Sequence, residues 1–160
     1  MVKVIDNFLD NELFNILSDM AKTIPTTFNS KEVWENDLGY GNTLMSKPFI
    51  NNNDFVPLSI ISFQNQLSSY LNVSSKLNST FYNWNNSNIT WHYDDGYEYG
   101  TTFYLNKYWD KDWGGELLLT DNTFIKPEPN RLVIIKTPYE HKTCITHSDA
   151  PNRLTIQTFI

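Results

Sequence analysis

The chain has little of what several protein classes require. A single cysteine, Cys144, stands among 160 residues, so no internal disulfide can form and a cross-linked scaffold is excluded. Basic residues number 12 against 18 acidic ones, giving a formal net charge of −6. That balance offers no electrostatic footprint for the phosphate backbone of nucleic acid or for anionic lipid. No apolar run approaches membrane-spanning length, and the opening stretch lacks the form of a secretory leader. The expectation is a cytoplasmic protein with no nucleic-acid and no membrane partner. Only three histidines occur, His92, His141 and His147, which makes the position of each informative.

What is present is enough for a core. Hydrophobic residues make up 40% of the chain and aromatics 15%, which suits one globular domain over residues 1–160. The stretch "DNELFNILSDMAKTI" predicts a helix capped by Asp10, with Leu13, Leu17 and Met20 on one face and Phe14 and Ile24 beside them. Residues 28–47 are polar and include Gly39 and Gly41; they read as a long loop with a short hairpin. Trp34, Tyr40 and Met45 in that stretch are candidates to meet a substrate. A second helix fits "DFVPLSIISFQNQLSSYLN", with Asp54 near its start, Pro57 in the first turn, and Leu58, Ile61, Leu67 and Leu71 as its apolar positions.

From about residue 76 the pattern changes to about eight short apolar or alternating runs split by turn residues. Residues 1–75 therefore read as helical support and loop, and residues 76–160 as a β core. The fold class implied is mainly β with N-terminal helices, a double-sheet jelly roll with the helices packed on one side.

The stretch "TWHYDDGYEYG" raises the chemical question. His92 and Asp94 are two residues apart, a spacing that on a strand sends both side chains to one face. An imidazole and a carboxylate so placed can share a metal ion, although a chance surface pair has the same look. Trp91 falls on the opposite face and reads as core. A third ligand must come from His141 or His147. If the runs after Lys142 and from Arg153 pair as a hairpin centred near residue 147, His141 lies opposite Arg153 and His147 lies in the turn. His141 is then the better ligand. Two histidines and one carboxylate leave three coordination positions open, the facial arrangement of non-haem Fe(II) oxygenases. Arg153 and Thr155 share a face and together suit a bound carboxylate. Arg131, in a similar "PNRL" context, has no such partners and reads as structural or solvated. Asp95 reads as a solvated loop acid.

In order and spacing, "HYD", "TTFYLN", "WGGELLL", "PNRLVIIKTPYEHK" and "RLTIQTF" together resemble the 2-oxoglutarate- and Fe(II)-dependent dioxygenases of the prolyl-4-hydroxylase type. The resemblance runs from about Tyr82 to the end, and "VIDNFLDNELFNIL" resembles the family's N-terminal helix. It implies a double-stranded β-helix with Fe(II) held by His92, Asp94 and His141. It implies Arg153 as the partner of the distal carboxylate of 2-oxoglutarate, with Thr155 nearby. Tyr104 matches a tyrosine that bonds that carboxylate in relatives, and Tyr82 matches one that lines the cosubstrate pocket. Gly114 and Gly115 match a turn whose task is backbone geometry. The activity implied is decarboxylation of 2-oxoglutarate to succinate and CO2, with O2 consumed, coupled to hydroxylation of a C–H bond. Ascorbate is the expected reductant. The substrate implied is a prolyl or other residue in a peptide or protein; a free amino acid or other small molecule remains the alternative. The expected state is a monomer or weak dimer, and the asparagine-rich composition fits a viral or a marine bacterial source. Two competing readings stay open at this level: a cupin-like module that binds a metal or ligand without oxygenase chemistry, and a structural β-sandwich.

Overall fold

The computed structural model describes residues 1–28, 39–50 and 55–160. Trp34 and Asp54 lie outside them. Helix α1 (Asn11–Thr23) starts where expected, because the Asp10 carboxylate accepts the Leu13 N–H at 2.9 Å. It buries Phe14, Leu17, Ser18 and Ala21, one stripe of a 3.6-residue period. Helix α2 (Leu58–Leu71) follows Pro57 and leaves through Asn72 in a left-handed conformation. Its buried stripe is Ile60, Phe63, Gln64 and Leu67, so Leu58 faces solvent at 80% exposure. The stripe is rotated from the one expected because Gln64 turns inward. Its amide donates to the Phe49 carbonyl at 2.8 Å and to the Ser79 hydroxyl at 3.0 Å. No described helix is long and apolar enough to cross a membrane.

Among the described residues eleven strands accompany this pair. They are β1 (Val2–Ile5), β2 (Thr26–Phe28), β3 (Gly39–Ser46), β4 (Phe49–Ile50), β5 (Asn78–His92), β6 (Tyr99–Tyr104), β7 (Leu117–Leu119), β8 (Phe124–Ile125), β9 (Leu132–Lys136), β10 (His141–Thr143) and β11 (Arg153–Phe159). The order is β1-β9-β6-β11-β5-β10-β7-β8, with β3 and β4 also paired to β5 and β2 paired to β3. Three expectations change. The first 75 residues hold four strands besides the helices, and residues 39–46 are strand rather than loop. "LNSTFYNW" and "NITWHY" are not two strands but one, β5, which continues through the polar "NNSN" because β3 pairs along it there. The runs before and after residue 147 form no hairpin: β10 pairs with β5 and β7, while β11 pairs with β5 and β6.

The sheet curls into a double-stranded β-helix with two faces. Phe81, Phe103, Leu132, Ile134, Leu154 and Ile156 point outward and pack under α1 and α2 against Phe14, Leu17, Phe63 and Leu67. Tyr104, Leu117, Leu119, Ile125, Val133 and Ile135 point into the roll. This is the period-2 alternation of half-buried strands carried along a curled, open sheet.

The first "PNRL" turn ties the N-terminal segment to the roll. Asn130 is buried, at 4% exposure. Its side chain accepts the Leu9 N–H at 3.0 Å and donates to the Leu9 carbonyl at 2.8 Å. Its neighbour Arg131 grips Asp6 through Nε at 2.6 Å and Nη2 at 3.1 Å, the structural role the sequence suggests. Asn130 has φ 58°, a region alanine tolerates poorly. Both Asn130→Ala and Asn130→Gly are expected to lower stability in denaturant titration, by roughly 2 kcal/mol from the lost buried bonds. Alanine should cost about 1 kcal/mol more than glycine; equal losses would mean that the backbone conformation contributes nothing.

Candidate metal and anion site

His92 closes β5 and lies directly across the ladder from His141, which opens β10. Their ring centroids are 4.4 Å apart. Each imidazole is oriented in the same way. His92 Nδ1 lies 2.8 Å from the Thr90 carbonyl and His141 Nδ1 lies 3.0 Å from the Tyr139 carbonyl. A carbonyl can only accept, so Nδ1 holds the proton and Nε2 presents its lone pair to the interior. Burial, above all, lowers the His141 pKa, which keeps that lone pair free at neutral pH.

Asp94 reaches the same point from beyond the strand. The pleat does not place it, as the sequence suggests, because β5 ends at His92. The turn after the strand carries the carboxylate, and the Thr137 hydroxyl donates to the Asp94 carbonyl at 3.1 Å. The carboxylate stands 3.9 Å from His92 Nε2. The ligand atoms of His92, Asp94 and His141 all lie within 4.8 Å of one another, a set that can hold one metal ion. Gly100 makes room for it. A Cβ on that residue would fall on Asp94 Oδ2.

His147 is a solvent-exposed turn residue, and Asp95 is exposed as well. Trp91 is not core: it is 39% exposed, and the Lys142 ammonium sits 5.2 Å over its ring. Trp109 donates its indole N–H to the Gly114 carbonyl at 3.0 Å and packs edge-on against Trp113. Neither of these two tryptophans lines the cavity at the triad. Met45 lies on β3 across from Tyr82. Tyr40 also lies on β3, across from Asn88 on β5.

The triad opens on a cavity of about 240 Å³ inside the roll, lined among others by Tyr82, Trp84, Thr102, Leu117 and Gln157. The remaining expected residues group on the same inner face. Thr155 lies opposite both Tyr82 and Tyr104, and Arg153 lies opposite Trp84. Arg153 is 2% exposed. Among the described residues no acid pairs with it. Nη1 donates to the Gly115 carbonyl at 2.5 Å, Nε has no acceptor, and the guanidinium stacks 5.0 Å over the Trp84 ring. Gly115 allows this approach, since a Cβ there would stand 3.0 Å from Nη1 and φ is +76°. Burial lowers the Arg153 pKa, and burial raises that of Tyr104. The Tyr82 phenol is pushed up to about 12 by burial first and by Asp94 second, so it remains a donor. Arg153, Thr155 and Tyr104 do not line the cavity at the triad; Tyr82 does.

A buried guanidinium without a carboxylate is costly unless an anion joins it. The donor set and this unmatched cation therefore fit a metal that also binds a dicarboxylate. The sequence reading missed Trp84 and Gly100. Trp84 shares the parity of Tyr82, which was a usable signal. Nothing local marks Gly100, because its neighbour Asp94 arrives from the other side of a turn.

The family model of the 2OG-Fe(II) oxygenase superfamily matches residues 77–160, and the chain belongs to that superfamily. It is a 2-oxoglutarate-dependent dioxygenase, and the cofactors of such enzymes are Fe(II), 2-oxoglutarate and O2. No curated protein sequence gives a significant match. Among solved structures, the chain is similar to a prolyl hydroxylase from Trichoplax adhaerens in complex with a peptide fragment of the hypoxia inducible factor oxygen degradation domain. That likeness has TM-score 0.73 and 18% identity, covering 99% of this chain and 82% of that one. A Pseudomonas putida prolyl-4-hydroxylase matches with TM-score 0.68 and 13% identity over 99% of this chain and 90% of its own. A viral collagen prolyl hydroxylase from Paramecium Bursaria Chlorella virus-1, in its 2OG complex, gives 0.68 and 15% over 99% and 94%. At these identities the likeness is one of fold.

Gly100→Ala tests the carboxylate's seat. It is expected to weaken Mn(II) binding, read by calorimetry, by roughly 10- to 100-fold, the range for losing a group that orients a ligand. Affinity equal to wild type would show that Asp94 has no need of that space.

Proposed function

We propose that this oxygenase hydroxylates a C–H bond of a prolyl or other residue in a peptide or protein, with His92, Asp94 and His141 as its iron ligands. Arg153 anchors the distal carboxylate of 2-oxoglutarate, Tyr104 and Thr155 flank that anchor, and Tyr82 lines the cosubstrate pocket. The observation that carries this reading is the convergence of two imidazoles and one carboxylate within 4.8 Å beside the roll's cavity. Bound Fe(II) with 2-oxoglutarate and O2 supplies the oxidative decarboxylation and the hydroxylating power.

The chain's own residues do the rest. The Thr90 and Tyr139 carbonyls hold the two imidazoles in the ligating tautomer. Arg153 offers a desolvated cation to a carboxylate, where a charge-assisted pair is strongest. Leu117 and Ile135 line the cavity and keep water from its walls. Support for a peptide comes from the aromatic mouth. Tyr97 is 43% exposed and packs at 4.9 Å on Phe159, which lines the cavity. Such rings suit an extended, proline-containing segment. The three relatives described above carry the name prolyl hydroxylase.

The test is succinate release in air with Fe(II), 2-oxoglutarate and ascorbate, with proline-containing peptides or free amino acids added. The wild type is expected to turn over, faster with a peptide. His141→Ala should lose roughly 100-fold or more, and His147→Ala should keep its rate. Stimulation by free amino acids alone would replace the peptide reading. Inactivity of His147→Ala with an active His141→Ala would overturn the ligand assignment.

A further inference from the structure

Trp84 has no part in the chemistry described so far, yet it stands between the two halves of the site. It lines the cavity that holds the triad, whereas Arg153, Thr155 and Tyr104 do not. The Arg153 guanidinium lies on the Trp84 ring at 5.0 Å. The indole N–H donates to the Thr155 hydroxyl at 2.9 Å. The Tyr82 ring stacks on the indole at 5.2 Å, with an interplanar angle of 17°. Trp84 itself is 2% exposed. One side chain thus covers the buried cation and also engages the neighbouring hydroxyl.

We propose that Trp84 is a displaceable cover over the anion-binding end of the site and selects the cosubstrate. A 2-oxo acid with a distal carboxylate gains the Arg153 pair only by moving the indole off the guanidinium, which frees Thr155 as well. A 2-oxo acid without that carboxylate has nothing to gain from the movement and leaves the cover closed. Among the contacts given up are the cation–π stack, the hydrogen bond to Thr155 and the Tyr82 stack, each individually weaker than the charge-assisted pair that is gained. The proposal rests on the oxygenase reading of this site.

The experiment uses the full chain with Mn(II), which does not turn over, and follows 2-oxoglutarate binding by calorimetry and by tryptophan emission in parallel. Wild-type emission is expected to change on 2-oxoglutarate binding, and to stay unchanged when 2-oxobutanoate binds the same metal. Trp84→Phe should lose the emission change and bind 2-oxoglutarate about tenfold tighter, since the stack is weakened and the hydrogen bond is gone. Trp84→Tyr serves as the second variant if the first does not fold. Arg153→Gln should bind 2-oxoglutarate and 2-oxobutanoate alike, without an emission change. Calorimetric binding of 2-oxoglutarate to wild type with no emission change, or with the same change in Trp84→Phe, would overturn the cover while leaving the oxygenase reading intact. Failure of the Mn(II) protein to bind 2-oxoglutarate at all would instead remove the proposed assignment of the site residues, and the cover with it.

Discussion

One strand has to satisfy more backbone than any single neighbour can. β5 runs for 15 residues, and its N–H and C=O groups on each edge need partners. On one edge they meet β4 and β3. On the other, β11 covers Asn78 to Trp84, and β10 takes over from Ile89 to His92. Two strands that never pair with each other are therefore aligned by a third. β10 brings His141 to His92, and β11 brings Arg153 to Trp84. The spacing between the paired histidines and Arg153 is set by the length of β5 between those contacts, and no loop is asked to fix it.

Within that frame the triad is held before any ion arrives. Each histidine spends its Nδ1 proton on a carbonyl two residues earlier in its own chain segment. Neither ring needs a distant partner to choose its tautomer. The carboxylate is placed differently, by a turn, a threonine hydroxyl and the empty space over Gly100. A strand-borne Asp94 would be fixed by the pleat. A turn-borne one depends on its surroundings, so the tightest steric constraint of the site falls on a residue with no functional group.

How much of this was legible from sequence follows the same division. Local signals read well: the Asp10 cap and the period-2 runs from β6 onward. The His92–Asp94 spacing pointed to the right pair for the wrong reason, since Asp94 lies beyond the end of β5. The jelly roll also came through, because the order of motifs resembles a known family, and the three residues named with it do converge. What failed was every inference about which strands touch. The hairpin expectation paired residues 141 and 153 because adjacent strands usually pair. Consecutive strands do pair at β2–β3 and β7–β8, but β10 and β11 do not, and the strand that both of them meet is β5, far earlier in the sequence. His141 was preferred on a register that does not exist, and it lies beside His92 because β10 pairs with β5. Trp91 was assigned to the core by parity alone, but its face of β5 ends under Lys142 at the surface. Gly39 to Ser46 looked like loop because glycine and asparagine disguise a strand whose partner, β5, lies far off in sequence.

The partner chosen for Arg153 bears on why the site can work at all. A guanidinium this deeply buried could have been neutralised by a carboxylate of the chain, and Glu116 is close enough to act on its charge. A resident ion pair would hold several kcal/mol that an incoming carboxylate would have to match. An aromatic face holds the same cation with about 0.5–2 kcal/mol. The stack on Trp84 therefore keeps Arg153 folded into the roll without satisfying it: Nε stays without an acceptor and Nη1 makes do with one backbone carbonyl. The cation is dry, oriented and underpaid, and the free energy withheld from it in the folded chain is available to a ligand that brings its own negative charge.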